Sequence, residues 1–522
     1  MPFRWEDVSV LVLLSALRIP RLSLCVLLLV SSASFGQSKF TPEQRTARYM
    51  DSVRSQPPLL LAFLRRMPKG GDLHNHLSGA IYAESWIDFA AEDGLCVDHT
   101  TSFLIAPPCD VCEKYASKPA IACAYRDHVL YNQIIDAWSM RNWNRGEESG
   151  HDHFFGTFDK FLLATLNHVG EELAEAASRA AGDHLQYLEL MHTADTMESA
   201  NLGAEVGWND EFASMRQKLL AGGLKEVIAD TRKKLDRDEA QMRSVLKCDT
   251  KDAAPGCAVQ VRYLYQVLRG LPRESVFAQI LLGFELAQAD PRFVGLNLVM
   301  PEDWYVPMHD FDLHMHMLDY LHQLYPKVHI SLHAGELAAG LVPPEGLRFH
   351  IRESVERGHA ERIGHGTSVM YEDDAVGLLK EMAKRNVQVE ICLTSNDVIL
   401  GVSNEDHPFR IYGRYGVPVA LATDDQGVSR GDMSTEYLRA AQSYKLSYLE
   451  LKTLARTSLE HSFLPGASLW VDAHALRRAN ACASDNPSHL TSAGCRQFLD
   501  SSERARMQWR LENEFANFEK QF

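Results

Sequence analysis

The sequence predicts a (β/α)8 barrel with an insertion after its first strand and peripheral helices at both ends. Three observations predict it. Apolar runs of strand length recur eight times, at residues 73–77, 185–191, 259–268, 293–300, 328–333, 362–365, 387–393 and 417–423. Amphipathic segments of helical period lie between them, among them 276–289, 311–324, 375–384 and 435–444. Strand alternating with helix eight times is the barrel's pattern. The alternative is an open doubly wound sheet, but no glycine fingerprint follows the first strand.

The chain opens with an export signal at 1–36. Arg18 and Arg21 precede an apolar run at 22–30, and the small residues Ser34 and Gly36 suit cleavage before Gln37. Glu6 and Asp7 stand where positive charge is usual, which keeps a short membrane anchor or a misplaced start codon as rivals, though the run is too short for a comfortable span. Residues 37–66 read as a helical segment. The Gly70-Gly71 pair reads as a breaker leading into the first strand. From 95 to 150 the periodicity fails, with Pro107-Pro108 and four cysteines, so this stretch is an insertion in a barrel spanning 67–480. Residues 481–522 form a C-terminal helical extension.

The ten cysteines fit an exported, periplasmic or secreted protein. Cys25 leaves with the signal, and Cys392 sits in an apolar run as a buried thiol. Cys248 and Cys257 form one close pair, Cys482 and Cys495 another. Cys96, Cys109, Cys112 and Cys123 form a third group whose pairing the sequence leaves open. A formal charge of −16 argues against binding a nucleic-acid backbone. The sequence sets no oligomeric state, a homodimer being one option, and shows no stable membrane span.

Barrel enzymes carry their chemistry at the C-terminal ends of strands. Those ends hold His74 and His76, then His333 with Glu336, then His365, then Asp424 and Asp425. His74 and His76 are two apart on a strand and point the same way. Three imidazoles and a carboxylate suit a Zn²⁺-type ion with a position left for water. The His-x-His spacing is weak evidence by itself. His151-Asp152-His153 and His314-Met315-His316 share it without closing a strand, and read as structural. The ordered combination of strand-closing residues carries the metal reading.

Met67-Pro-Lys-Gly-Gly-Asp-Leu-His-Asn-His76, Ser331-Leu-His-Ala-Gly-Glu336, Arg362-Ile-Gly-His-Gly366, Thr394-Ser-Asn396 and Ala422-Thr-Asp-Asp425 together resemble the adenosine/AMP deaminase family, most closely its secreted, growth-factor-related branch. The resemblance spans roughly residues 60–460. It implies one Zn²⁺ per chain, held by His74, His76, His333 and Asp424, and a purine nucleoside as substrate. It makes Glu336 the donor of a proton to purine N1. His365 orients and helps deprotonate the attacking water, and Asp425 bonds N7. Two substrate-side positions depart from the family pattern. Ser78 stands where an Asp meets the ribose, and Met300 where a Gly offers its amide to the purine. The implied activity is hydrolysis of adenosine, and of 2′-deoxyadenosine, to inosine and ammonia. Alternatives are a related metal hydrolase acting on another 6-aminopurine or an amide, and a non-catalytic binding or signalling protein on the same barrel.

Overall fold

The computed structural model describes residues 40–522, apart from 114, 115 and 474; the expected export signal at 1–36 lies outside them. Eight strands run parallel in chain order: β1 (Gly70–His76), β2 (Leu185–His192), β3 (Gln260–Leu268), β4 (Phe293–Val299), β5 (His329–Ala334), β6 (Arg362–His365), β7 (Gln388–Ile391) and β8 (Val419–Leu421). They are almost wholly buried, because a barrel strand faces packed side chains inside and helices outside. The surrounding helices include Arg273–Ala289, Phe311–Leu324 and Ala375–Arg385.

The barrel closes just past the end of β8. Asp424 N–H donates to the carbonyl of His74 at 2.9 Å, and Asp424 O accepts from His76 N–H at 3.1 Å. The closing ladder is therefore built from strand-end residues that the sequence marks as functional, and it sets Asp424 beside both histidines through backbone alone.

One expectation is corrected. Gly70 and Gly71 belong to β1 and do not break the chain before it. A Cβ at Gly70 would come within 2.4 Å of the carbonyl oxygen of Ala455, on the helix Tyr448–Glu460. Glycine serves close packing there, which local propensity cannot distinguish from a turn.

Before β1 lie the helices Pro42–Val53 and Pro57–Arg66. Between β1 and β2 the chain forms a satellite core around Trp86, Ile134, Trp138, Phe154 and Phe161, with Trp86 stacked on Phe161 at 5.2 Å. Cys96–Cys109 and Cys112–Cys123 staple this region. Cys248–Cys257 closes the turn before β3, and Cys482–Cys495 ties the C-terminal extension, whose last helix is Glu503–Glu519. Cys392 is free and buried. No helix among the described residues is long and apolar enough to cross a membrane.

Candidate active site

The strand-end histidines converge at the barrel mouth. His76 Nε2 is 3.2 Å from His333 Nε2 and 3.3 Å from Asp424 Oδ1, and His74 Nε2 is 3.4 Å from the same oxygen. Donors bound tetrahedrally at 2.0–2.1 Å stand about 3.3 Å apart, so these atoms are spaced to share one metal ion.

Hydrogen bonds at the other ring nitrogens place a proton on Nδ1 of each of these imidazoles. His74 Nδ1 donates to Glu390 Oε2 at 2.7 Å. His333 Nδ1 donates to Asn297 Oδ1 at 2.8 Å, and that oxygen also accepts the backbone N–H of His333, which fixes the amide's orientation. His76 Nδ1 donates to Gln266 Oε1 at 2.9 Å, while the Gln266 amide nitrogen turns to Thr193. In the neutral ring that metal binding requires, the proton sits on Nδ1 and Nε2 is bare. The Nε2 of His76 and of His333 then face each other lone pair to lone pair, and His74 Nε2 is buried without a hydrogen bond. Such a donor set is stable around a cation and repulsive without one. His74, His333, His365 and Asp424 form one cluster of potential metal donors, and His76, Asp424 and Asp425 a second.

The field agrees. Burial opposes charge on His74, yet the Asp424 and Glu390 carboxylates lift it to about 10, so with no ion bound a proton on this ring supplies the positive charge that the carboxylates call for, and a cation would take that proton's place. Burial would raise Asp424, but His365, His74 and His76 outweigh it and hold the carboxyl well below the usual range. Ser395 Oγ donates to Asp424 Oδ2 at 2.6 Å.

Glu336 follows β5 after a Gly335 turn. Burial first, then the charges of Asp424 and Glu302, push its carboxyl well above the usual range. Glu302 accepts the backbone N–H of Gly335 at 3.1 Å and of Glu336 at 2.8 Å, so it fixes the loop that presents the acid. Burial and the neighbouring Asp424 push Asp425 up to about 8. Asp424, His365 and Met300 are non-glycine residues at φ +59°, +66° and +87°. Strained backbone at three strand ends around one cluster marks a functional site.

The adenosine deaminase family model matches residues 139–468, well over half of the chain. This chain belongs to the adenosine deaminase family. The family comprises aminohydrolases of the metal-dependent hydrolase superfamily. The adenosine deaminase of Salmonella typhimurium is 26% identical over 397 residues, covering 75% of this chain and 93% of that one. The adenosine deaminase of Clostridium acetobutylicum is 33% identical over 137 residues; that match covers 26% of this chain and only 38% of the relative. Among solved structures, the N6-methyl-AMP deaminase of Arabidopsis thaliana aligns with a TM-score of 0.50 at 23% identity, covering 78% of this chain and 94% of that one. At that identity the likeness speaks for the fold alone.

Ser78 lies one turn past His76 on the short helix Leu77–Ala80. Met300 turns its side chain toward Gly270, whose N–H meets Sδ at 3.3 Å, and its carbonyl is gripped by the buried Arg269, which also binds the carbonyl of His333. Trp86 is buried in the satellite core, and Glu189 pairs with Arg362 at 2.6 Å inside the barrel. His151 reaches Asp303 at 2.9 Å and so ties the helix Gly150–Phe161 to the loop after β4.

Sequence reasoning missed Glu390, Asn297, Gln266, Arg269 and His407. A charge inside an apolar strand, as in Val387-Gln-Val-Glu-Ile391, was the available signal for Glu390: a buried carboxylate requires a partner.

Proposed function

We propose that this enzyme is an exported, zinc-dependent aminohydrolase that converts adenosine, and 2′-deoxyadenosine, to inosine and ammonia. The family membership supports deamination of adenosine-like substrates. One observation carries the metal part: the Nε2 atoms of three imidazoles, each with Nδ1 turned to an oxygen, meet one ionised carboxylate at ligand spacing. Zn²⁺ bound by His74, His76, His333 and Asp424 would lower the pKa of water to about 7 and so supply a nucleophile at neutral pH.

The chain's own groups do the rest. Glu336, kept protonated, gives its proton to purine N1 and leaves C6 electrophilic. Asp425, at about 8, is mostly protonated near neutrality, so it can donate to N7, which only accepts. Water adds to C6 with His365 and Asp424 beside it, and loses one proton. The hydroxyl proton of the adduct returns to Glu336, the proton first lost from water goes to the amine, and the C6–N bond breaks to release ammonia. Inosine keeps the N1 proton, and Glu336 ends as it began. Ser78 and Met300 lie on the substrate side and set which sugar or phosphate is accepted. Four disulfides support an oxidising destination.

The test is a spectroscopic scan for loss of the 6-amino group from adenosine, 2′-deoxyadenosine, AMP, N6-methyl-AMP and adenine by the zinc-loaded protein. We expect adenosine to be preferred and ammonia to appear in equal amount. Silence on all five overturns the reading; preference for a phosphorylated substrate keeps the chemistry and moves the specificity.

A further inference from the structure

Hydrogen bonds divide the four histidines of the site three to one. Nδ1 of His74, His76 and His333 faces an oxygen. Nδ1 of His365 faces the amide nitrogen of Asn396 at 2.9 Å. The residues behind Asn396 decide which end of that amide points forward. The backbone N–H of Phe409 donates to His407 Nδ1 at 3.1 Å, and a backbone N–H has only one polarity. His407 Nδ1 therefore accepts, and the ring's proton sits on Nε2, which donates to Asn396 Oδ1 at 2.9 Å. Asn396 must then present its NH2 to His365. All three side chains are buried, so the chain of donors runs one way without exchange with bulk water.

We infer that Asn396 and His407 are positioning residues that hold His365 in its Nε2–H form, so that His365 meets the attacking oxygen as a hydrogen-bond donor and neither ligates the ion nor takes water's proton. The inference rests on the proposed deamination for the identity of that oxygen. His365 Nε2 is buried with no hydrogen-bond partner among the described residues. It lies 3.7 Å from Glu336 Oε1 and 3.9 Å from Asp424 Oδ2, a separation that one intervening oxygen would bridge. Asp424 is then the proton's destination. As the O–C6 bond forms, water's O–H bond breaks toward the Asp424 carboxylate, and that proton later leaves on the amine as ammonia.

Reversing the polarity tests this in the zinc-loaded full chain. A carboxylate at 407 only accepts, so His407→Glu turns Asn396 around and moves the His365 proton to Nδ1. Asn396→Asp does the same one step closer. His407→Gln keeps an acceptor toward Phe409 and a donor toward Asn396. We expect His407→Glu and Asn396→Asp to lose roughly 100-fold or more in kcat on adenosine, with KM and zinc content within about twofold, and His407→Gln to stay within about fivefold of wild type. In ¹⁵N-histidine NMR of the wild type, the ring signals that vanish in His365→Gln should report a protonated Nε2 and a bare Nδ1. Unchanged kcat in both reversed variants, equal loss in His407→Gln, or a bare Nε2 in the NMR experiment overturns the inference. A protonated Nε2 in a wild type that deaminates nothing leaves the hydrogen-bond assignment standing and removes the deaminase reading instead.

Discussion

Glu390 accepts a hydrogen bond from His74 Nδ1 at 2.7 Å on one oxygen and meets Arg362 Nε at 2.6 Å on the other. Arg362 in turn reaches Glu189 at 2.6 Å, and all four side chains are buried. A charged chain thus runs down the barrel interior from the metal cluster, where water cannot screen it.

Glu390→Gln should weaken zinc binding by about 10- to 100-fold, because the oriented carboxylate makes His74 a better donor. Competition against a graded set of chelators reads this directly. Affinity equal to wild type would mean that Glu390 serves only the Arg362 pair.

Gly364→Ala tests the position of the His74 ring. A Cβ there would stand 2.4 Å from His74 Cε1 and 2.8 Å from Nδ1, closer than atoms pack, while Glu390 keeps the ring from yielding. We expect purified protein with little zinc and at least tenfold lower kcat, yet a far-UV spectrum like wild type. Full zinc loading would contradict this placement.

Glu336→Gln should abolish turnover while zinc stays bound. The pH profile follows from the sign of the Glu336 shift. Burial and the Asp424 charge raise this acid, so the proton it donates is present through neutrality and lost as pH climbs through its elevated pKa. kcat/KM should therefore fall on the alkaline side. At low pH it should fall again, as the histidine ligands take protons in place of metal. A rate that rises steadily with pH would argue against Glu336 as the acid.

Reduction should loosen the stapled regions before the barrel. Each disulfide closes a loop of 9 to 13 residues in sequence separation, a constraint of roughly 3 kcal/mol for a loop of that order. Under mild reductant, limited proteolysis should cut first near the Cys96–Cys123 region and the C-terminal extension. Cleavage unaltered by reductant would show that packing alone holds both.

Much of the barrel was legible because a parallel strand buried on both faces leaves an apolar run in the sequence, and such runs recur with helical segments between them. The helix Phe311–Leu324 has the bounds its periodicity predicts. Strand ends were less legible. The apolar run at 387–393 yields a strand only over Gln388–Ile391, after which Leu393–Leu400 is helical and delivers Ser395 and Asn396 to the site. Short apolar stretches have no period long enough to separate strand from helix.

The local sequence by itself determined which side chains close each strand, since the order of His, Glu and Asp along the chain is covalent. Only the tertiary structure decided what each of them is chemically. Whether an imidazole offers a lone pair or a proton depends on the atom behind it: Glu390 behind His74, Asn297 behind His333, Asn396 and then His407 behind His365. Glu390, Asn297 and Asn396 lie 316, 36 and 31 residues from their histidines, and His407 lies 11 beyond Asn396; hydrogen-bond polarity passes through space, not through sequence.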